Sequence, residues 1–200
     1  MHVIIATEIF GINPAVESLA EDLKNADTEV SIVDPYDGVE QKFECEQDAY
    51  DQFIGDCGHD GFYSRIEARL LQADQATILI GFSVGASAGW RVLAGDSGNL
   101  IQHFVGFYPT QIRHHLDIDP ACPSSLIFPA REEHFELDPV IDRLSSKAQV
   151  KCHKTDYLHG FMNPQSMNFE ASAARQYFTL LSSIKQLLAA DQFLNALKRC

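Results

Sequence analysis

The stretch "ATILIGFSVGAS", residues 76–87, decides the reading of this chain. Its first half is an apolar run of strand character, and its second half holds Ser83 between Gly81 and Gly85 before a helix-compatible segment. A strand that turns abruptly into a helix forces the turn residue into strained dihedrals, and residues two positions either side must come so close that side chains would clash. A serine so placed stands clear of the backbone, with the free amides of a helix N-terminus beside it. The same glycines serve phosphate loops, but "GFSVGASAGW" is neither G-x-G-x-x-G nor a loop closed by Lys and Ser or Thr. A plain helix cap is the other use of serine before a helix.

Working outward, further apolar runs stand at 2–7, 29–34, 103–108, 125–129 and 149–153. Most show little alternation, as buried parallel strands do. Helical stretches separate them. In "NPAVESLAEDLKNAD", Asn13 is an N-cap, Pro14 takes the first helical position, and Val16, Leu19, Ala20 and Leu23 share a face. Residues 64–74, 85–95, 138–147 and 171–190 read similarly. This alternation predicts an α/β fold: a mainly parallel six-strand sheet with helices on both faces. The 200 residues are expected to form a single domain over 1–200.

Two segments break the rhythm. Residues 35–63 exceed an ordinary connection and carry eight acids from Asp37 to Asp60 against Lys42, an acidic insertion expected near the site. At the end, "DQFLNALKRC" carries Phe193, Leu194 and Leu197, which either pack on their own domain or support a homodimer through the C-terminal helix.

Composition removes several classes. A hydrophobic fraction of 46% with 22% charged residues is that of a globular protein, and no apolar run reaches the ~20 residues a bilayer span needs. With no basic start or cleavage site in "MHVIIATE", a cytoplasmic protein without a membrane partner is expected. The net charge of -13 and scattered basic residues argue against nucleic acid. The five cysteines lack CxxC pairing and the histidines lack HExxH spacing, so neither a disulfide framework nor a metal is predicted.

A serine hydroxyl is a poor nucleophile and requires a base oriented by an acid, in the chain order Ser, Asp/Glu, His. After the strand at 125–129, "AREEHFE" offers Glu132 and Glu133, with Asp138 further on. After the strand at 149–153, "KTDYLHGFMNP" offers His159 in a loop, while His134 precedes that last strand. Ser83, one of these acids and His159 would then converge at the carboxyl edge of the sheet. Phe10, Phe62, Tyr63 and Phe161 are candidates for the substrate pocket or for the core.

Taken together, "IIATEIFGINP", "VDPY", "GFSVGA", "REEHFEL" and "LHGFMN" resemble the dienelactone hydrolase family of α/β-hydrolases over nearly the whole chain. The resemblance implies a serine hydrolase that cleaves small ester, thioester or lactone substrates through an acyl-enzyme on Ser83, without a cofactor. It assigns the acid to Glu133, the base to His159, the oxyanion hole to the backbone N–H groups of Ile9 and Val84, and an influence on the nucleophile to Glu8. The family's named enzyme has cysteine at Ser83, aspartate at Glu133 and an arginine near Met162 and Asn163. Without that arginine, and with an acidic insertion at the mouth, neutral or cationic esters are expected to be preferred. A catalytically silent binding protein on the same scaffold is the alternative.

Overall fold

The computed structural model describes residues 1–197. Six parallel strands run in the order β2-β1-β3-β4-β5-β6. They are β1 (His2–Ala6), β2 (Glu29–Val33), β3 (Thr77–Phe82), β4 (Ile101–Phe107), β5 (Ser124–Phe128) and β6 (Val150–Lys154). Each falls within two residues of the apolar run that predicted it. β1 and β3 are buried along their whole length, which is why "HVIIA" and "TILIGF" carry no polar alternation.

Helices α1 (Pro14–Leu23), α6 (Ala171–Ser182) and α7 (Ala190–Leu197) cover one face, packing on Val3, Ile5, Ile78, Ile80, Val105 and Ile127. Helices α2 (Glu46–Asp56), α3 (Gly58–Leu71), α4 (Val84–Val92) and α5 (Leu137–Ser145) lie toward the other face, which presents Ile4, Ala6, Leu79, Phe104, Leu126 and Phe128. The alternate strand residues thus go to opposite cores, as the period of two requires. Asn13 caps α1, its side-chain oxygen accepting from the N–H groups of Ala15 and Val16 at 3.0 Å each.

The insertion is largely helical. It folds into α2 and the first turns of α3, so the helix expected at 64–74 begins six residues earlier, at Gly58. Phe53 and Phe62 explain this: they meet edge to face at 6.2 Å, both fully buried, and anchor the pair of helices to the sheet.

The helix expected over 171–190 breaks at Ser183, and α7 turns back onto the sheet. Its Phe193 meets the buried His103 ring edge-on at 6.0 Å, and Ala190, Leu194 and Leu197 are buried with it. The apolar stripe of this helix is therefore covered by its own sheet, the first of the two placements the sequence allowed for it. The last three residues, Cys200 among them, lie outside the described residues. Among the described residues no helix is long and apolar enough to cross a membrane.

Candidate active site

The chain order reverses between β1 and β3, since β2 lies on one side of β1 and all later strands on the other. In an open parallel sheet this is where the loops beyond the strand ends part and leave a crevice. Glu8 follows β1 and Ser83 follows β3, so both stand at that crevice.

Ser83 has φ 50° and ψ -112°, a conformation that side-chain-bearing residues rarely adopt. Its neighbours hold it there. The Ser83 N–H donates to the Phe107 carbonyl at 2.9 Å, tying the turn to β4. A Cβ at Gly81 would lie 2.6 Å from Ala86 Cα, and one at Gly85 would fall onto the carbonyl oxygens of Ala6 and Thr7. Both positions are glycine because α4 must start directly above the strand ends.

The Ser83 hydroxyl lies 2.9 Å from His159 Nε2. His159 sits in the loop between β6 and α6, and its Nδ1 is 3.0 Å from Glu132 Oε1. Thr110, at the start of the short helical turn after β4, donates its hydroxyl to the same carboxylate oxygen at 3.3 Å and lies 3.1 Å from His159 Nδ1. The carboxyl ends of β3, β4, β5 and β6 each supply one of these groups. Such an arrangement can draw the serine proton onto the imidazole and balance the imidazolium with a carboxylate.

The acid contacting His159 is Glu132. Glu133, which the family resemblance assigned, is exposed and makes no contact with the imidazole, so that assignment is corrected. The reason is local: β5 ends at Phe128, and the loop Pro129–Arg131 carries Glu132 inward so that its side chain is only 11% exposed, and the next residue points away. Asp138 pairs with Lys154 on the surface, and the exposed His134 lines the cleft without replacing His159.

Burial alone would push the His159 imidazole down, but the Glu132 hydrogen bond and charge, aided by Glu8 and Glu46, leave it above the ordinary histidine value. Beneath it lies a buried network the sequence did not reveal. Tyr108 donates to Glu8 Oε1 at 2.6 Å, and Asn163 donates to Glu8 Oε2 at 3.0 Å. The Tyr108 ring packs 5.0 Å from the His159 ring. Burial raises the Glu8 carboxyl above its usual range, opposed by those two hydrogen bonds and by His159. Asn163, in the stretch near which the resemblance placed the family enzyme's arginine, thus serves Glu8.

A cleft of about 540 Å³ opens over Ser83. Ile9, Phe10 and Val84 line it together with Glu8, as expected of residues following β1 and opening α4. Phe62, Tyr63 and Phe161 do not, which corrects their place in the pocket. Phe62 packs on Phe53 in the core, the Tyr63 hydroxyl bonds Glu67 at 2.6 Å under the Arg91 guanidinium, and Phe161 is enclosed by Tyr108, Tyr157 and Tyr177. Of the eight acids between Asp37 and Asp60, Glu46 lines this cleft and the others face elsewhere. The charge expected at the mouth is thus mostly turned away from it.

No protein-family model matches the chain. It is 31% identical over 188 residues to a Bacillus subtilis (strain 168) protein, Uncharacterized protein YczH, with 92% of this chain and 90% of that protein covered. The chain belongs to the YczH family. Among solved structures, this YczH-family fold is similar to the dienelactone hydrolase of Anabaena variabilis ATCC 29413, with a TM-score of 0.61 at 18% identity over 91% of this chain and 83% of the other. It is also similar to a dienelactone hydrolase-like promiscuous phosphotriesterase from metagenomic libraries, with a TM-score of 0.67 at 15% identity over 94% and 86%. The YczH-family chain therefore has a dienelactone hydrolase-like α/β-hydrolase fold.

Proposed function

We propose that this YczH-family chain is a serine hydrolase that cleaves small ester, thioester or lactone substrates through an acyl-enzyme on Ser83. The observation that carries the reading is the continuous contact from Ser83 Oγ to His159 Nε2 at 2.9 Å and from His159 Nδ1 to Glu132 at 3.0 Å, beneath an open cleft. The strained backbone at Ser83 supports it, since a serine acting only as a helix cap has an extended backbone and bonds its own helix, and this one does neither. Two fold relatives named as a dienelactone hydrolase and a phosphotriesterase point to the same kind of chemistry.

In this mechanism the Ser83 hydroxyl proton passes to His159 Nε2 as Oγ bonds the substrate carbonyl carbon. The developing oxyanion is met by the backbone N–H groups of Ile9 and Val84, the latter the first residue of α4, where amides lack intrahelical partners. The carbon–leaving-group bond breaks, and the leaving group takes the proton from His159. Water then repeats the sequence on the acyl-enzyme, giving its proton to His159 and releasing the acid and Ser83. Glu132 holds the imidazole in the tautomer that leaves Nε2 free to accept, and Glu8, with Tyr108 and Asn163, sets the field beneath it.

Hydrolysis of p-nitrophenyl acetate by wild type and its loss in Ser83→Ala tests this function. Equal rates in the two proteins would overturn it.

A further inference from the structure

Beside the Ser83 cleft lies a second cavity of about 210 Å³, sharing His59, Ser87 and Gln111 with it. Its remaining wall is Asp60, Ala88, Arg91, His114 and His115. In a chain of net charge -13 this is an unusual concentration of nitrogen donors, for three of the eight histidines and Arg91 line this one cavity. The side cavity itself has one carboxylate, Asp60, which is almost wholly exposed and reaches Arg91 at 2.8 Å. The Arg91 guanidinium itself is largely covered, lying over the Tyr63 ring at 4.7 Å and bonding the His59 carbonyl at 3.3 Å.

We propose that this side cavity is an anion subsite, which receives a carboxylate or phosphate group carried by the substrate at the end remote from its scissile carbonyl. The inference deepens the acyl-transfer reading of the Ser83 cleft and rests on it for the word substrate. Three elements build the pocket: the start of α3 supplies His59, α4 supplies the buried Ser87 and the half-buried Arg91, and the turn after β4 supplies Gln111, His114 and His115. A planar guanidinium with imidazole and side-chain amide groups around one small cavity suits an oxyanion, which accepts from such donors. The Gln111 N–H already donates to Ser87 Oγ at 3.1 Å, and Ser87 donates to the Ser83 carbonyl at 3.1 Å, so the wall between cavities is fixed to the nucleophile turn. Burial and the Arg91 charge hold His59 and His115 below the ordinary histidine value, a cost that a bound anion relieves. The preference this implies is opposite to the one expected from the acidic insertion, whose carboxylates mostly face away from both cavities.

Binding and turnover separate the two claims. Inorganic phosphate titrated into the protein is expected to give saturable NMR shifts of the His59, His114 and His115 rings, with Kd weakened about fivefold or more in Arg91→Gln and in the exposed-site variant His114→Gln. In parallel, p-nitrophenyl monoesters of succinate, glutarate and adipate are compared with their methyl-capped neutral partners. At least one free carboxylate is expected to exceed its capped partner in kcat/KM by about fivefold, the ratio falling toward one in both variants. Turnover of the esters with no carboxylate preference and no phosphate shifts would overturn the subsite while leaving the acyl-transfer reading intact. Saturable phosphate shifts lost in both variants, without turnover of any ester, would uphold the anion site and overturn the acyl-transfer reading.

Discussion

The Thr110 hydroxyl donates to Glu132 Oε1 at 3.3 Å, and the same hydroxyl lies 3.1 Å from the Nδ1 of His159 that this carboxylate orients. Thr110 therefore closes the acid end of the relay. Its own backbone is fixed in turn, because Arg113 donates to the Thr110 carbonyl at 2.7 Å while its guanidinium lies 4.8 Å over the Phe135 ring. The loop after β4 and the loop after β5 are thus stapled across the carboxylate.

Removing that hydroxyl is expected to cost about tenfold in kcat, the worth of one hydrogen bond to a charged group. Thr110→Val tests the loss, and Thr110→Ser, which keeps the donor, is expected to recover most of it. Equal impairment in both variants would show that packing, and not the hydroxyl, matters at this position.

Glu132 and Glu133 are adjacent in sequence and opposite in environment. Glu132→Gln is expected to lower kcat by about a thousandfold, the scale of losing the group that orients a catalytic imidazole. Glu133→Gln should remain within about twofold, as exposed substitutions do.

The pH profile follows from His159. The base must be neutral, so kcat/KM rises with pH through the His159 pKa, which lies above the ordinary histidine value of 6.5 because Glu132, together with Glu8 and Glu46, offsets burial. The acid limb is therefore expected to have its midpoint above 6.5 in wild type. In Glu132→Gln the chief raising influence is gone and burial remains, so the residual activity should show that limb moved to lower pH.

Glu8 is expected to oppose stability and support activity. Burial raises its folded-state value above the unfolded one, so the fold loses stability as pH rises from the ordinary glutamate range through that raised value. At neutral pH Glu8→Gln should gain stability in a denaturant titration while kcat falls, as is common for charges retained at a site. A variant that is both less stable and fully active would contradict this role.

His103 provides an independent pH test of the fold. It is fully buried, its Nε2 is 3.0 Å from Ser125 Oγ, and burial lowers its pKa to about 4. Between that value and 6.5 the unfolded chain binds the proton and the folded one does not, so stability falls as pH falls. The drop from pH 7 to pH 5 assignable to this residue is about 2 kcal/mol, measured as the difference between wild type and His103→Gln.

The strands and the Ser83 turn were legible because local rules decide them. Unbroken apolar runs mark strands buried on both faces, and the Gly81 and Gly85 spacing marks a turn with no room for side chains. His159 was legible from chain order and loop position. The choice between Glu132 and Glu133 was not, because one residue of loop path after Phe128 decides which side chain turns inward, and neither periodicity nor composition encodes it. Tyr108, Thr110 and Asn163 carry no motif. They matter through contacts to Glu8, Glu132 and His159 that arise only when four strand ends meet. Phe62 and Phe161 show the converse, since an aromatic residue beside a site is equally suited to the core that holds it.

The most direct test of the account is the intact mass of the protein after exposure to a fluorophosphonate, for wild type beside Ser83→Ala and His159→Ala. The account requires a single adduct on wild type, none on Ser83→Ala and strongly slowed labelling of His159→Ala. An unlabelled but folded wild type, or an adduct that persists in Ser83→Ala, would contradict it.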